Sequence, residues 1–84
     1  MKTIFVKYFA SVREAIGSSG EQVQTAAPTV AGLRDELIAR GGAFQQTLSR
    51  GQVLRVALNH TMIDETETLI EGCEVAFFPP VTGG

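Results

Sequence analysis

Only one segment, from Val30 to the Gly41-Gly42 pair, repeats its apolar residues at helical spacing over several turns, at Val30, Leu33, Leu37 and Ile38. The rest of the chain alternates with period two or breaks after a turn or so of helix. A single long amphipathic helix among half-buried strands must be covered by a sheet, because neither element can bury its apolar face alone. Pro28-Thr29 opens the helix and the glycine pair closes it, with Arg40 placed to favour a helix C-terminus. Gly32 inside it costs about 1 kcal/mol against alanine, so tertiary packing must stabilise the segment.

The flanking segments supply the sheet. Thr3 to Ala10 reads as a first strand, with Ile4, Val6 and Tyr8 on one face and Phe5, Lys7 and Phe9 on the other. Ser11-Val12-Arg13-Glu14 has capping-box spacing and predicts a short helix ending at Gly17. Gly20 to Ala26, centred on Val23, predicts a short edge strand. After the main helix, Phe44 and Leu48 suggest another apolar helical turn, and Val53 to Leu58 returns to strand. Asn59-His60 and Asp64-Glu65-Thr66 mark reversals around a brief strand at Thr61 to Ile63. In the last strand Cys73, Val75 and Phe77 alternate with Glu74, Ala76 and Phe78. Burying Leu33, Leu37 and Ile38 against one face of such a mixed sheet gives an α+β fold of ubiquitin-like β-grasp topology, packed on one main helix. At 84 residues the chain is a single domain, 1–84, with 79–84 expected to project as a C-terminal tail.

Several function classes are disfavoured. Lysines and arginines are scattered and the net charge is −2, so nucleic acid is not an expected partner. No apolar run approaches the roughly 20 residues of a membrane span, so no membrane association is expected, and Met1-Lys2 leads into a strand rather than a signal peptide; the expected compartment is the cytoplasm. Cys73 is the only cysteine, which excludes an internal disulfide and a cysteine-rich metal site. On the inward phase of its strand it reads as a small core residue. His60, the only histidine, falls in a turn without metal-ligating neighbours, and Asp64, Glu65 and Glu67 read as a solvated acidic face. No metal site and no bound cofactor are expected.

Two features point outward. If Val75 and Phe77 face the helix, Phe78 lies on the opposite face and is exposed, as does Phe9 on the first strand. Phe9 and Phe78, with Met62 from the short hairpin, then form one apolar patch of the kind that marks partner interfaces. Beyond it, Pro79 and Pro80 hold the backbone extended, and Val81, Thr82, Gly83 and Gly84 can reach at most about 13 Å. Without Cβ atoms, Gly83 and Gly84 can thread a narrow channel, and the terminal carboxylate is unreactive until it is activated. The tail reads as a group delivered to other proteins.

The segment Phe77-Phe78-Pro79-Pro80-Val81-Thr82-Gly83-Gly84 resembles the C-terminal signature of the MoaD family of ubiquitin-like sulfur carriers, the small subunits of molybdopterin synthase. Tyr8-Phe9-Ala10 with Val12-Arg13-Glu14, Arg55-Val56-Ala57-Leu58-Asn59 and Glu71-Gly72-Cys73-Glu74-Val75-Ala76 extend the resemblance along nearly the whole chain. Cys73 departs from it, since the family usually carries an acidic residue there. The resemblance implies a non-catalytic carrier whose Gly84 is adenylated by a ubiquitin-activating-like partner using ATP and converted to a thiocarboxylate by a sulfur donor. It further implies that Gly84 then gives sulfur to cyclic pyranopterin monophosphate in the large subunit, in an expected heterotetramer. Phe9, Met62 and Phe78 match positions where the family presents apolar residues to partners. Two other readings are a thiamine-pathway carrier, typically shorter and without the diproline aromatic tail, and a protein modifier joined through Gly84 to lysines.

Overall fold

The computed structural model describes residues 1–80. Eight elements follow one another: β1 (Lys2–Tyr8), α1 (Ala10–Ile16), β2 (Gly20–Thr25), α2 (Val30–Ile38), α3 (Gly42–Leu48), β3 (Arg55–Leu58), β4 (Thr61–Met62) and β5 (Glu74–Phe78). The strands form one sheet in the order β2-β1-β5-β3-β4. β1 and β5 run parallel at its centre and the remaining pairs are antiparallel, so the sheet is mixed and the fold is the α+β β-grasp.

Period-two alternation fixes the inner face. Ile4, Val6 and Tyr8 of β1, with Val75 and Phe77 of β5, are buried against Val30, Leu33 and Leu37 of α2 in one core cluster, which Ile38 joins only partly. Thr29 caps α2 by accepting from the Gly32 N–H at 3.3 Å. A Cβ at Gly32 would stand 3.1 Å from that of Ala27, so the helix penalty of this glycine permits close packing on the chain that leads into the helix. Asn59 and His60 both take positive φ, 48° and 71°, and form the two-residue turn that matches the twist of the β3–β4 hairpin.

Element boundaries differ from expectation where tertiary contacts intervene. Ser11 does not cap α1. Phe9 occupies the cap position, and its carbonyl accepts from Val12 N and Arg13 N while its own N–H donates to Phe77 O at 3.2 Å. The end of the sheet therefore starts the helix before the Ser-x-x-Glu box can act. β3 begins at Arg55 rather than Val53, because the residues opposite Leu54 and Val53 would be Pro79 and Pro80, which have no N–H to extend the ladder. Arg40 lies beyond the last turn of α2 and serves Glu21 instead, donating at 3.0 and 2.9 Å with its guanidinium 4.9 Å above the Phe44 ring.

Tyr8 joins that cluster through a 2.7 Å hydrogen bond to Glu21 and an edge-on contact with Phe44. Burial, and then the Glu21 carboxylate, push its phenol pKa well above the usual value. A folded-state pKa raised in this way gives stability that is complete below about pH 10 and is lost as pH climbs through the folded-state value. Tyr8 is the only tyrosine, so tyrosinate absorbance reports it alone. We expect it to titrate above the free-tyrosine range in the folded protein. Tyr8→Phe should cost about 1 kcal/mol near neutrality and reduce the alkaline loss of stability. An ordinary titration under native conditions would refute the assigned burial.

Candidate functional site

The candidate site is the end of β5 and the outer face of the sheet beside it. Phe78 follows the inward Phe77, and strand alternation turns its ring to the outer face. There it meets Phe9, which follows the last residue of the parallel neighbour β1. The two rings pack edge to face, 6.3 Å between centroids and 89° between planes. This pairing corrects one expectation, since Phe78 is half-buried rather than exposed, while Phe9 remains 44% exposed. Phe9, Ala10, Phe78 and Pro79 line a shallow apolar groove at the point where the tail leaves the sheet. Ala10 holds φ at 52°, a left-handed conformation that costs a non-glycine residue about 1 kcal/mol and that turns the chain sharply at the wall of the groove.

Met62 shares the outer face but does not line the groove. Register places Lys7, Ala76, Ala57 and Met62 side by side across four strands, one row away from the aromatic pair. Met62 is half exposed and lines a separate open cleft with Leu54, Arg55, Val56, Ile63, Asp64 and Glu65. The small Ala57 and Ala76, both buried, lie between the two apolar spots. Polar residues surround them: Lys7 and His60 each approach Glu74 at 3.6 Å, and Arg55 lies opposite Phe78.

Of the remaining residues singled out from the sequence, Cys73 is buried in the core and His60 is exposed in its turn. Pro79 and Pro80 are half-buried. Val81, Thr82, Gly83 and Gly84 lie outside the described residues. Glu65 corrects the reading of a solvated acidic face. It accepts from Arg34 Nη1 at 2.6 Å and from Arg50 Nη1, and the bond from Arg50 to Glu65, followed by those Arg50 donates to Asp35, pushes the Arg50 pKa further above its normal range. Sequence reasoning missed Arg34 altogether, although its place four residues after Val30 and three before Leu37 puts it on the apolar side of the helix.

The model of the ThiS family matches residues 6–84. The molybdopterin synthase sulfur carrier subunit of Escherichia coli is 42% identical over 81 residues, spanning 96% of this chain and 99% of that protein. Its counterpart in Haemophilus influenzae is 38% identical over 79 residues, spanning 94% and 96%. Among solved structures, small archaeal modifier protein 1 of Haloferax volcanii superposes with a TM-score of 0.80 at 26% identity, covering 96% of this chain and 100% of that one. No helix among the described residues is long and apolar enough to cross a membrane.

Proposed function

The chain belongs to the ThiS/MoaD family, and from that premise we propose that it is the sulfur-carrier subunit of a molybdopterin synthase. The observation that carries this reading is the near full-length similarity to two such carriers, joined to a family match that runs through Gly84. The apolar groove at the base of the tail supports it, because a carrier must be gripped beside the group it delivers.

In the proposed cycle, which runs in the cytoplasm, the Gly84 carboxylate attacks the α-phosphate of ATP held by a ubiquitin-activating-like enzyme and releases pyrophosphate. The acyl-adenylate carries a good leaving group where the free carboxylate has none. A donor of sulfide-level sulfur attacks the carbonyl, the acyl–phosphate C–O bond breaks, AMP departs, and a thiocarboxylate remains. The tail then enters the large subunit of the synthase, in a heterotetramer of two carriers on two large subunits. There the thiocarboxylate gives sulfur to cyclic pyranopterin monophosphate and hydrolysis returns the carboxylate. This chain contributes binding surface, an aimed exit and the acyl group. Phe9, Phe78 and Met62 hold partners, and Pro79 and Pro80 restrict the directions open to Val81, Thr82, Gly83 and Gly84. The catalytic side chains belong to the large subunit, and ATP to the adenylating enzyme.

Intact-mass measurement of the protein from cells with a working pathway tests the reading directly. We expect a species in which one terminal oxygen is replaced by sulfur. Similarity to the archaeal modifier gives the second reading a specific footing. Stable lysine conjugates with no thiocarboxylate would establish that reading in place of the first.

Docking has its own test. Phe78→Asp keeps the backbone ladder of β5 and places a charge in the groove. We expect affinity for the large subunit to fall about tenfold or more in a calorimetric titration, with circular dichroism unchanged. Unaltered affinity would remove the aromatic pair from the interface.

A further inference from the structure

The two edges of the sheet are unequal. β4 is an edge of two residues, whereas β2 presents six, Gly20–Thr25, without proline, lysine or bulge. Natural proteins normally blunt an edge of that length, because its unpaired backbone groups are a template for another strand.

The hydrogen bonds show which groups are available. Tyr8 N donates to Ser19 O at 3.0 Å, and the register pairs Val6 with Glu21, Ile4 with Val23 and Lys2 with Thr25. In an antiparallel ladder these alternate residues turn both backbone groups toward β1, so Gly20, Gln22 and Gln24 turn theirs outward. Gly20 is already served, since its N–H donates to Ser18 Oγ at 3.2 Å and its carbonyl accepts from the same hydroxyl at 2.8 Å. Among the described residues, the outward N–H and C=O groups of Gln22 and Gln24 have no partner.

We propose that β2 pairs antiparallel with β2 of a second copy of this chain, about a two-fold axis through Val23, to form a continuous ten-stranded sheet. In this register Gln22 faces Gln24 of the second copy and exchanges both backbone bonds with it, and Gln24 does the same with the second copy's Gln22. All four outward groups on each strand are then satisfied by four bonds in total. Slipping the register by two residues would set one glutamine against Gly20, already closed by Ser18, or against Ala26 outside the strand. Side chains agree with this pairing. The Gln22 and Gln24 side chains lie opposite each other on the outer face; Gln24 Nε2 already donates to Thr3 Oγ1 at 2.7 Å, which leaves its amide oxygen to accept from Gln22 of the second copy. Glu21, engaged by Arg40, faces threonine rather than another carboxylate. Gln22 and Gln24 pair with Phe5 and Thr3, at the end of the sheet away from Phe78, so the dimer leaves the groove lined by Phe9 and Phe78 open.

Sedimentation equilibrium of the full chain from micromolar to millimolar concentration tests the proposal, with amide spectra recorded over the same range. We expect a weak, concentration-dependent dimer, with shifts and slowed amide exchange centred on Gln22 and Gln24. Gln22→Pro removes an outward N–H but no bond to β1, and should weaken association about tenfold or more while amide spectra show an intact fold. Gln24→Pro should act in the same way, so the idea does not depend on one variant folding. A wild-type chain that stays monomeric at millimolar concentration, a dimer indifferent to both prolines, or shifts centred on Phe9 and Phe78 would each overturn it.

Discussion

Removal of Gly84 alone is expected to abolish molybdopterin formation in a reconstituted system while leaving thermal stability and large-subunit affinity near wild type. Shortening the tail by one residue withdraws the terminal carbonyl by about 3.3–3.6 Å. Catalytic sites lose about two orders of magnitude in rate for a misplacement of 1 Å, so the reacting carbon would fall out of range of both the adenylating and the transferring site. Affinity should survive because Phe9, Phe78 and the diproline are untouched. A C-terminal tag should give the same loss by another route, converting the carboxylate into an amide that cannot be adenylated. Retained product with either change would exclude Gly84 as the sulfur-bearing group. Loss of docking together with activity would instead mean that the last residue holds the partner.

Period-two alternation made the inner face of β1 and β5 legible, because Ile4, Val6, Tyr8, Val75 and Phe77 declare a half-buried strand whatever their partners are. Helical spacing did the same for Val30, Leu33 and Leu37. The misplaced features all depend on residues distant in sequence. β3 starts late because Pro79 and Pro80 lie across from it. Phe9 forestalls the capping box because its N–H is held by Phe77. Phe78 is half-buried because Phe9 packs on it from a parallel strand, a contact that joins the two ends of the chain. The outer-face placement of Phe9, Phe78 and Met62 was legible from alternation, and the first two meet in the groove beside the end of β5. The separation of Met62 from the pair is a matter of register across two intervening strands, which alternation within one strand does not encode.

Arg34→Ala should be the most destabilising single substitution outside the apolar core. Its side chain is 5% exposed and ties the α3–β3 connection to α2. Nε donates to Leu48 O at 2.6 Å, Nη2 to Ser49 O at 2.8 Å and Gln52 O at 3.2 Å, and Nη1 to Glu65 at 2.6 Å. Truncation strands the carbonyl of the buried Leu48 and leaves Glu65 with only the more exposed Arg50. Breaking a buried ion pair from one side costs about 3–5 kcal/mol, against a total of about 4–13 kcal/mol for a domain of this size. Denaturant unfolding should therefore show a loss of about 3 kcal/mol. Arg34→Lys should recover only part of it, because an ammonium cannot reach all four acceptors in the geometry of a planar guanidinium. Arg50→Ala provides the contrast. Arg50 is 48% exposed and its partners Asp35 and Glu65 are 64% and 24% exposed, so both pairs are reached by water, and that loss should stay within about 1 kcal/mol and shrink further in salt. Equal effects at the two arginines would show that Arg34 is far better solvated than its burial indicates.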